Sequence, residues 1–426
     1  MSGIIIFSLL LVLMLTGMPV SISLGLTVLT FIFCFTDVPI ASVALKLFTG
    51  IEKFEIMAIP FFILAGNFLT HGGVAKRMIN FATSMVGHWH GGLGLAAVVA
   101  CALFAAVSGS SPATVVAIGS IMLPAMVKAG FPKQFGAGVV TTAGGLGILI
   151  PPSIVMVMYS VTTNTSVGEL FMAGVIPGLM LATLLGLTTW WRARKHNYPR
   201  MPKATWGERA KALRESIWGL LLIVVVMGGI YSGLFTPTEA AAMSAVYAFI
   251  IAVFVYKDMG LKDVPRMLLN SANMSAMLLY IITNAVLFSF VLANENIPQQ
   301  LADWLVGVGL GPIAFLLVVN ILLLIAGNFM EPSSIILILA PILFPVAVQL
   351  GIDPVHFGIL IVVNMEIGMC TPPVGLNLYV ASGIAKMGMT ELTKAVGPWL
   401  LTMLAFLALV TYYPPLSLWL PTMLMR

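Results

Sequence analysis

Two clusters of hydroxyls, amides and glycines interrupt otherwise apolar sequence, and each is followed by a Gly-x-x-x-Pro-Pro signature. Ser108-Gly109-Ser110-Ser111-Pro112 precedes Gly147 with Pro151-Pro152, and Gly327-Asn328-Phe329-Met330-Glu331-Pro332-Ser333-Ser334 precedes Gly368 with Pro372-Pro373. Proline removes a backbone donor and its ring clashes with the preceding turn, so a proline pair after a glycine-rich run breaks a helix near 144–152 and 366–373. Carbonyls freed upstream of such a break can coordinate a cation, and amides opening the downstream half attract an anion. In hydrocarbon each unsatisfied group costs several kcal/mol, so these breaks persist where protein buries them or a wet cavity faces them. A single break is as readily a structural kink. Two at matching positions, each after a polar cluster, favour transport.

The match is an internal repeat. A shift of 221 residues also pairs Pro124 with Pro345, Gly130 with Gly351 and Pro177 with Pro398, giving six identical Gly or Pro positions between 124–177 and 345–398. Composition alone predicts about 1.5 such coincidences, so the two halves are read as copies of one unit.

With 60% hydrophobic and 8% charged residues over 426 positions, the chain has too little polar surface for a water-soluble body. Apolar runs of roughly 17–25 residues fit spanning helices and exclude the short alternating strands of outer-membrane barrels. The expected fold is an all-α integral membrane protein. Residues 1–20 contain no Lys or Arg and read as a first membrane helix rather than a secretory leader. Cys34, Cys101 and Cys370 lie far apart in apolar surroundings and read as packing residues. A net charge of +5 does not imply nucleic-acid binding, because the basic residues concentrate in one loop. No Walker-type phosphate loop is present, which argues against ATP as the direct energy source.

That loop sets the expected orientation. Eight basic residues between Arg192 and Arg214 place it in the cytoplasm, between the repeats. Downstream, spans near 216–234, 239–256 and 267–292 alternate across the membrane, with the turn Thr236-Pro237-Thr238 and the stretch from Asn294 to Asp353 outside. Each half is expected to contain three spans, a re-entrant helical hairpin, a broken span and a final span. The first repeat covers 1–191, with a hairpin at 92–127 entering from the cytoplasm and a broken helix at 133–164. A basic linker at 192–215 follows. The second repeat covers 216–412, with a hairpin at 312–349 entering from the periplasm and a broken helix at 354–386, and a tail occupies 413–426. Five net crossings per half make the repeats inverted in topology. Two ordinary crossings per hairpin would leave that parity unchanged but put the polar tips at an aqueous face. Segments 74–90 and 296–308 look amphipathic and read as interfacial helices.

Four stretches resemble the large membrane subunit, DctM type, of TRAP (tripartite ATP-independent periplasmic) transporters. They are Ser108 to Thr114, Leu149 to Ser153, Ala326 to Ser333 and Asn364 to Asn377. The resemblance covers essentially the whole chain. It implies a fold of the ion-transporter superfamily and an elevator-type secondary transporter driven by sodium. It also implies a bacterial inner membrane location, a small membrane subunit of the DctQ type and a periplasmic substrate-binding protein of the DctP type. Carried over residue by residue, it places sodium at Ser108, Ser110, Gly145 and Gly147, and again at Gly327, Asn328, Gly368 and Thr371. Oxygen-rich tips without clustered thiolate or imidazole agree with that ion. The substrate is expected between the tips, near Ser110, Ser111, Ser153, Asn328 and Asn377. No Arg lies in either motif, so anion capture would rely on dipoles and sodium.

The wording of the motifs resembles the branch that carries C4-dicarboxylates such as succinate, fumarate and malate, with sialic acid or another carboxylate as the alternative. Glu331 in the outer tip and Glu366 in the second break either bind a cation or cap free amides. The histidines, His88 and His90 included, are not spaced as a metal site. A gated anion channel and a membrane scaffold are the competing classes. Sodium-dependent, saturable uptake would separate the carrier from the channel, and a scaffold gives no reason for paired polar breaks.

Overall fold

The computed structural model describes residues 2–36, 38–307, 309 and 311–424. Val308, at the end of the predicted interfacial segment 296–308, and Met425 and Arg426, at the end of the predicted tail, lie outside them. The fold is all-helical, and eight helical stretches among the described residues are long and apolar enough to cross a membrane.

The first half contains α1 (Ser2–Leu15), α2 (Val20–Phe35), α3 (Ile40–Thr49), α4 (Ala58–His71) and α5 (Val74–Val86). A hairpin follows, made of α6 (Gly92–Ser108) and α7 (Ser111–Lys128). Next come α8 (Lys133–Gly144), α9 (Leu146–Leu149), α10 (Ile154–Thr163) and the long α11 (Val167–Lys195). The chain bends by 40° between α9 and α10, where Pro151 and Pro152 withhold two amides.

The second half repeats this order with α12 (Trp206–Tyr231), α13 (Pro237–Ile250), α14 (Val264–Asn294) and α15 (Ile297–Gly307). Its hairpin is α16 (Pro312–Gly327) and α17 (Pro332–Gln349), its broken helix is α18 (Pro354–Met369) with α19 (Leu376–Ala385), and α20 (Met389–Tyr412) and α21 (Pro415–Leu424) end the chain. Shifted by 221, the bounds of α7 become those of α17, and α8 and α18 begin at equivalent residues. Helix starts are marked chemically as well as by hydropathy. Thr205 and Thr236 form capping boxes with Glu208 and Glu239, and the Asp353 carboxylate accepts the amides of Val355 and His356 at 2.8 and 3.3 Å.

Packing between the halves is reciprocal. α7 lies on α19 while α17 lies on α10, and α8 lies on α20 while α18 lies on α11. Each helix packs on the partner of its own counterpart, as a two-fold relation between the repeats requires. A second set of contacts joins α2 to α14 and α13 to α4 in the same exchanged manner. The helices thus sort into a group built from the hairpins, broken helices and final spans, and a surrounding group built from α1 to α4 and α12 to α14.

Small residues set how closely helices approach in the first group, as lipid supplies little hydrophobic drive for helix association. A Cβ on Gly138 would lie 2.6 Å from the Trp399 ring and 2.7 Å from the Ala395 carbonyl. The Trp399 indole N–H donates to Thr189 Oγ1 at 2.9 Å, so α8, α11 and α20 meet at one buried point. Lys53, in the surrounding group, reaches across to the end of α10, where its ammonium donates to Asn164 Oδ1 at 2.6 Å. Gly138→Val is expected to destabilise the chain by about 1–3 kcal/mol, through forced displacement of Trp399. Thermal unfolding in detergent should show the lower midpoint, with Gly228→Ala, which has open space, unchanged.

Candidate functional site

Each hairpin tip is seated on the broken helix that follows it. In the first half α6 ends at Ser108, and Gly109 turns the chain with φ +61°, a conformation that favours glycine. The Gly109 carbonyl accepts the Ile154 amide at 3.4 Å, and a Cβ on Gly109 would stand 3.0 Å from the Pro152 carbonyl. Ser110 is extended and opens α7. Its carbonyl accepts the Thr114 hydroxyl at 2.9 Å and lies 2.5 Å from where a Cβ on Gly147 would sit. The Ser108 and Thr114 hydroxyls are 2.9 Å apart. Ser108, Ser110 and Gly147 therefore form one oxygen-rich cluster.

In the second half Gly327 and Gly368 meet backbone to backbone. A Cβ on either would fall within 2.9 Å of the other's Cα, so only glycine permits this approach. The Asn328 carbonyl accepts the Val374 amide at 3.1 Å, bonding the tip to the segment beyond the proline pair. The Thr371 hydroxyl donates to the Ile367 carbonyl at 2.7 Å and stays with its own helix end. Both Pro-Pro bonds are cis.

Gly145 departs from the first cluster. It packs against Glu366 of the other half, whose Oε1 lies 2.9 Å from the position of a Gly145 Cβ. Glu366 is fully buried, and among the described residues neither carboxylate oxygen has a hydrogen-bond partner, so it does not cap the break. Glu331 behaves differently, since its Oε1 accepts the Ser334 hydroxyl at 3.2 Å at the start of α17.

The residues expected to contact substrate divide into two groups. Asn377 Nδ2 donates to Ser111 Oγ at 2.7 Å, and that hydroxyl donates to the Gly144 carbonyl at 2.9 Å, so α19, the first tip and α8 are linked directly. Ser153 Oγ accepts the Met156 amide at 3.4 Å and caps α10. Ser110 is half-buried at the first tip, and Asn328 is half-buried at the second with its Oδ1 unpartnered. Among the described residues no hydrogen bond joins Ser110 or Ser153 to Asn328.

Two participants escaped the sequence reading of single residues: Thr114 ties the first tip together, and Asn364 is wholly buried. Cys370, read as a packing residue, also donates its thiol to the Thr141 carbonyl at 3.5 Å. Asn364 Nδ2 donates to Asn320 Oδ1 at 2.8 Å, and Asn320 in turn donates to Thr411 Oγ1 at 2.8 Å, while Asn364 Oδ1 has no donor. An asparagine two residues before Glu366 inside an apolar span was the available signal.

The two breaks differ in access. Ile150 to Ser153 are buried, whereas Pro373 is exposed, Val374 is 48% exposed and Phe329 at the adjacent tip is 61% exposed. The second tip is therefore the less enclosed of the two within the chain. A groove of 1120 Å³ between α6 and α11, bordered by His88, Trp89, His90 and Arg200, contains no tip or break residue.

Residues 7–416 match the family described as tripartite ATP-independent periplasmic transporter, DctM component. The chain is 76% identical, over all of both sequences, to the C4-dicarboxylate TRAP transporter large permease protein DctM of Rhodobacter capsulatus. It is 56% identical over 94% of each chain to the protein of that description from Pseudomonas aeruginosa. The fold resembles the crystal structure of the Alcanivorax borkumensis YdaH transporter, with a TM-score of 0.64 over 88% of each chain at 16% identity. With its apolar helices and this full-length match, the chain belongs to the DctM family of TRAP transporter permeases and is a multi-pass protein of the bacterial inner membrane.

Proposed function

We propose that the chain is the large permease of a sodium-coupled importer of C4-dicarboxylates, receiving its substrate from a periplasmic binding protein of the DctP type. It would work beside a small membrane subunit of the DctQ type. The observation that supports this reading is the seating of each polar tip on its own broken helix, at Ser110 with Gly147 and at Gly327 with Gly368. The names of relatives at 76% and 56% identity support the substrate class.

Sodium suits these clusters. It takes oxygen ligands, and the tips supply the Ser108 and Ser110 oxygens on one side and the Gly327 and Asn328 carbonyls on the other. Ser108, Ser110, Gly145 and Gly147 are read as the first sodium group, and Gly327, Asn328, Gly368 and Thr371 as the second. Gly145 stands toward Glu366 rather than the tip, so its part in the first group is the weaker one. Two positive ions beside the tips would favour a dicarboxylate held near Ser110, Ser111, Ser153, Asn328 and Asn377. The half-helices α10 and α19 add their N-terminal dipoles.

The two helix groups support an elevator. The group bearing both tips would slide as one body against the surrounding helices, with Lys53 and Asn164 on either side of the sliding boundary. A gated anion channel would need no such motion.

Ser110→Ala and Asn328→Ala are each expected to lower sodium-dependent succinate uptake about tenfold or more, the effect of losing ~1.4 kcal/mol or more of binding. Membrane insertion, read by the yield of monodisperse protein, should be unchanged. Undiminished uptake in both variants would reject the site assignment. In a background without native cysteines, joining Lys53→Cys to Asn164→Cys with a short cleavable linker is expected to stop uptake and cleavage to restore it. Full uptake in the linked protein would reject the sliding body.

A further inference from the structure

The polar atoms around the second break are out of balance. Among the described residues, five buried oxygens at the second tip and broken helix lack a hydrogen-bond partner: Asn328 Oδ1, Asn364 Oδ1, both oxygens of Glu366 and Asn377 Oδ1. All five are acceptors. The first tip shows no such deficit, because the hydroxyls of Ser108, Ser111, Ser153 and Thr114 all have partners. An excess of buried acceptors is the pattern expected of a site that a cation completes.

Glu366 carries most of that imbalance. Its carboxylate is fully buried, and no hydroxyl, amide or ammonium of the described residues reaches it. The salt bridge found among those residues, Arg77 with Asp258, lies elsewhere. Four residues on from Glu366, one helical turn away on the same face, is Cys370, whose Sγ is 3.8 Å from Asn377 Nδ2. Asn377 also holds Ser111 of the first tip, and Glu366 itself stands over Gly145 of the first break. Glu366 thus lies against the backbone of the first break, and Asn377, bonded to Cys370 one turn beyond Glu366, lies against the first tip, so both residues of the second half face the first where the halves meet.

We infer that Glu366 and Asn377 form a third monovalent-cation site between the two breaks, supplied by both repeats and distinct from the two tip groups. This inference rests on the transport reading above and adds a charged ligand to it. A cation there neutralises Glu366, whose bare charge would repel a dicarboxylate held at Ser111 and Asn377. Cation binding would therefore precede substrate binding. The occupied site would also draw α18 and α8 together, joining the two breaks as one body.

Proteoliposomes containing the permease and its small subunit, with the binding protein outside, test this through sodium dependence of succinate uptake and charge moved per succinate. Glu366→Gln keeps the shape and removes the charge. It is expected to reduce the sodium coupled to each succinate by one and to lower the Hill slope. Glu366→Asp keeps the charge and withdraws it, and is expected to retain the wild-type coupling while needing about tenfold more sodium. Wild-type coupling in Glu366→Gln, or wild-type sodium affinity in Glu366→Asp if the glutamine variant does not fold, would overturn the inference and show a neutral packing group. A wild-type protein without sodium dependence would instead reject the underlying transport reading.

Discussion

Backbone groups without water must find partners inside the protein, and that constraint organises this molecule. Hydrocarbon tolerates a helix because the helix satisfies itself, so two interruptions within membrane-embedded sequence are tenable only if other protein covers them. The covering pieces are the hairpin tips. Gly109 accepts the Ile154 amide beyond the first proline pair, and Asn328 accepts the Val374 amide beyond the second. Close approach matters as much as bonding, since Gly147 and Gly368 leave no room for a side chain between tip and break.

Satisfying the breaks also places the chemistry. A tip that covers a break brings its own carbonyls and hydroxyls to the freed helix end, so oxygen atoms suited to a cation collect there without a dedicated cage. The two halves complete this differently. Hydroxyls in the first tip bond one another, whereas the second half holds a carboxylate and amide oxygens without donors among the described residues. Asn377 and Glu366 cross from the second half toward the first break, so in the proposed carrier the ion and substrate positions would be shared between repeats. Under that proposal, the carrier would couple its cargoes through charge and contact at one interface.

Much of this was legible in the sequence because glycine and proline act locally. The proline pairs, the repeat and the polar tips are visible as residue identities, and the 221-residue shift predicted which pieces would correspond. What could not be read were contacts made across the two-fold relation. Asn377 and Ser111 lie 266 residues apart, and nothing in either motif says that the amide donates to that hydroxyl. Gly145 was grouped with Ser110 by family pattern, yet its nearest polar neighbour from the other half is Glu366. Ser153, expected near the substrate, also caps α10, a second use that spacing alone does not reveal for a hydroxyl just before a helix.

The central claim is that these paired breaks make a sodium-driven carrier rather than a pore. Labelled succinate uptake into proteoliposomes, with the small subunit present and with and without an inward sodium gradient and the cognate binding protein, addresses it most directly. Accumulation that requires both the gradient and the binding protein is the predicted result. Succinate flux that proceeds without either, and does not saturate, would contradict the account and favour a channel.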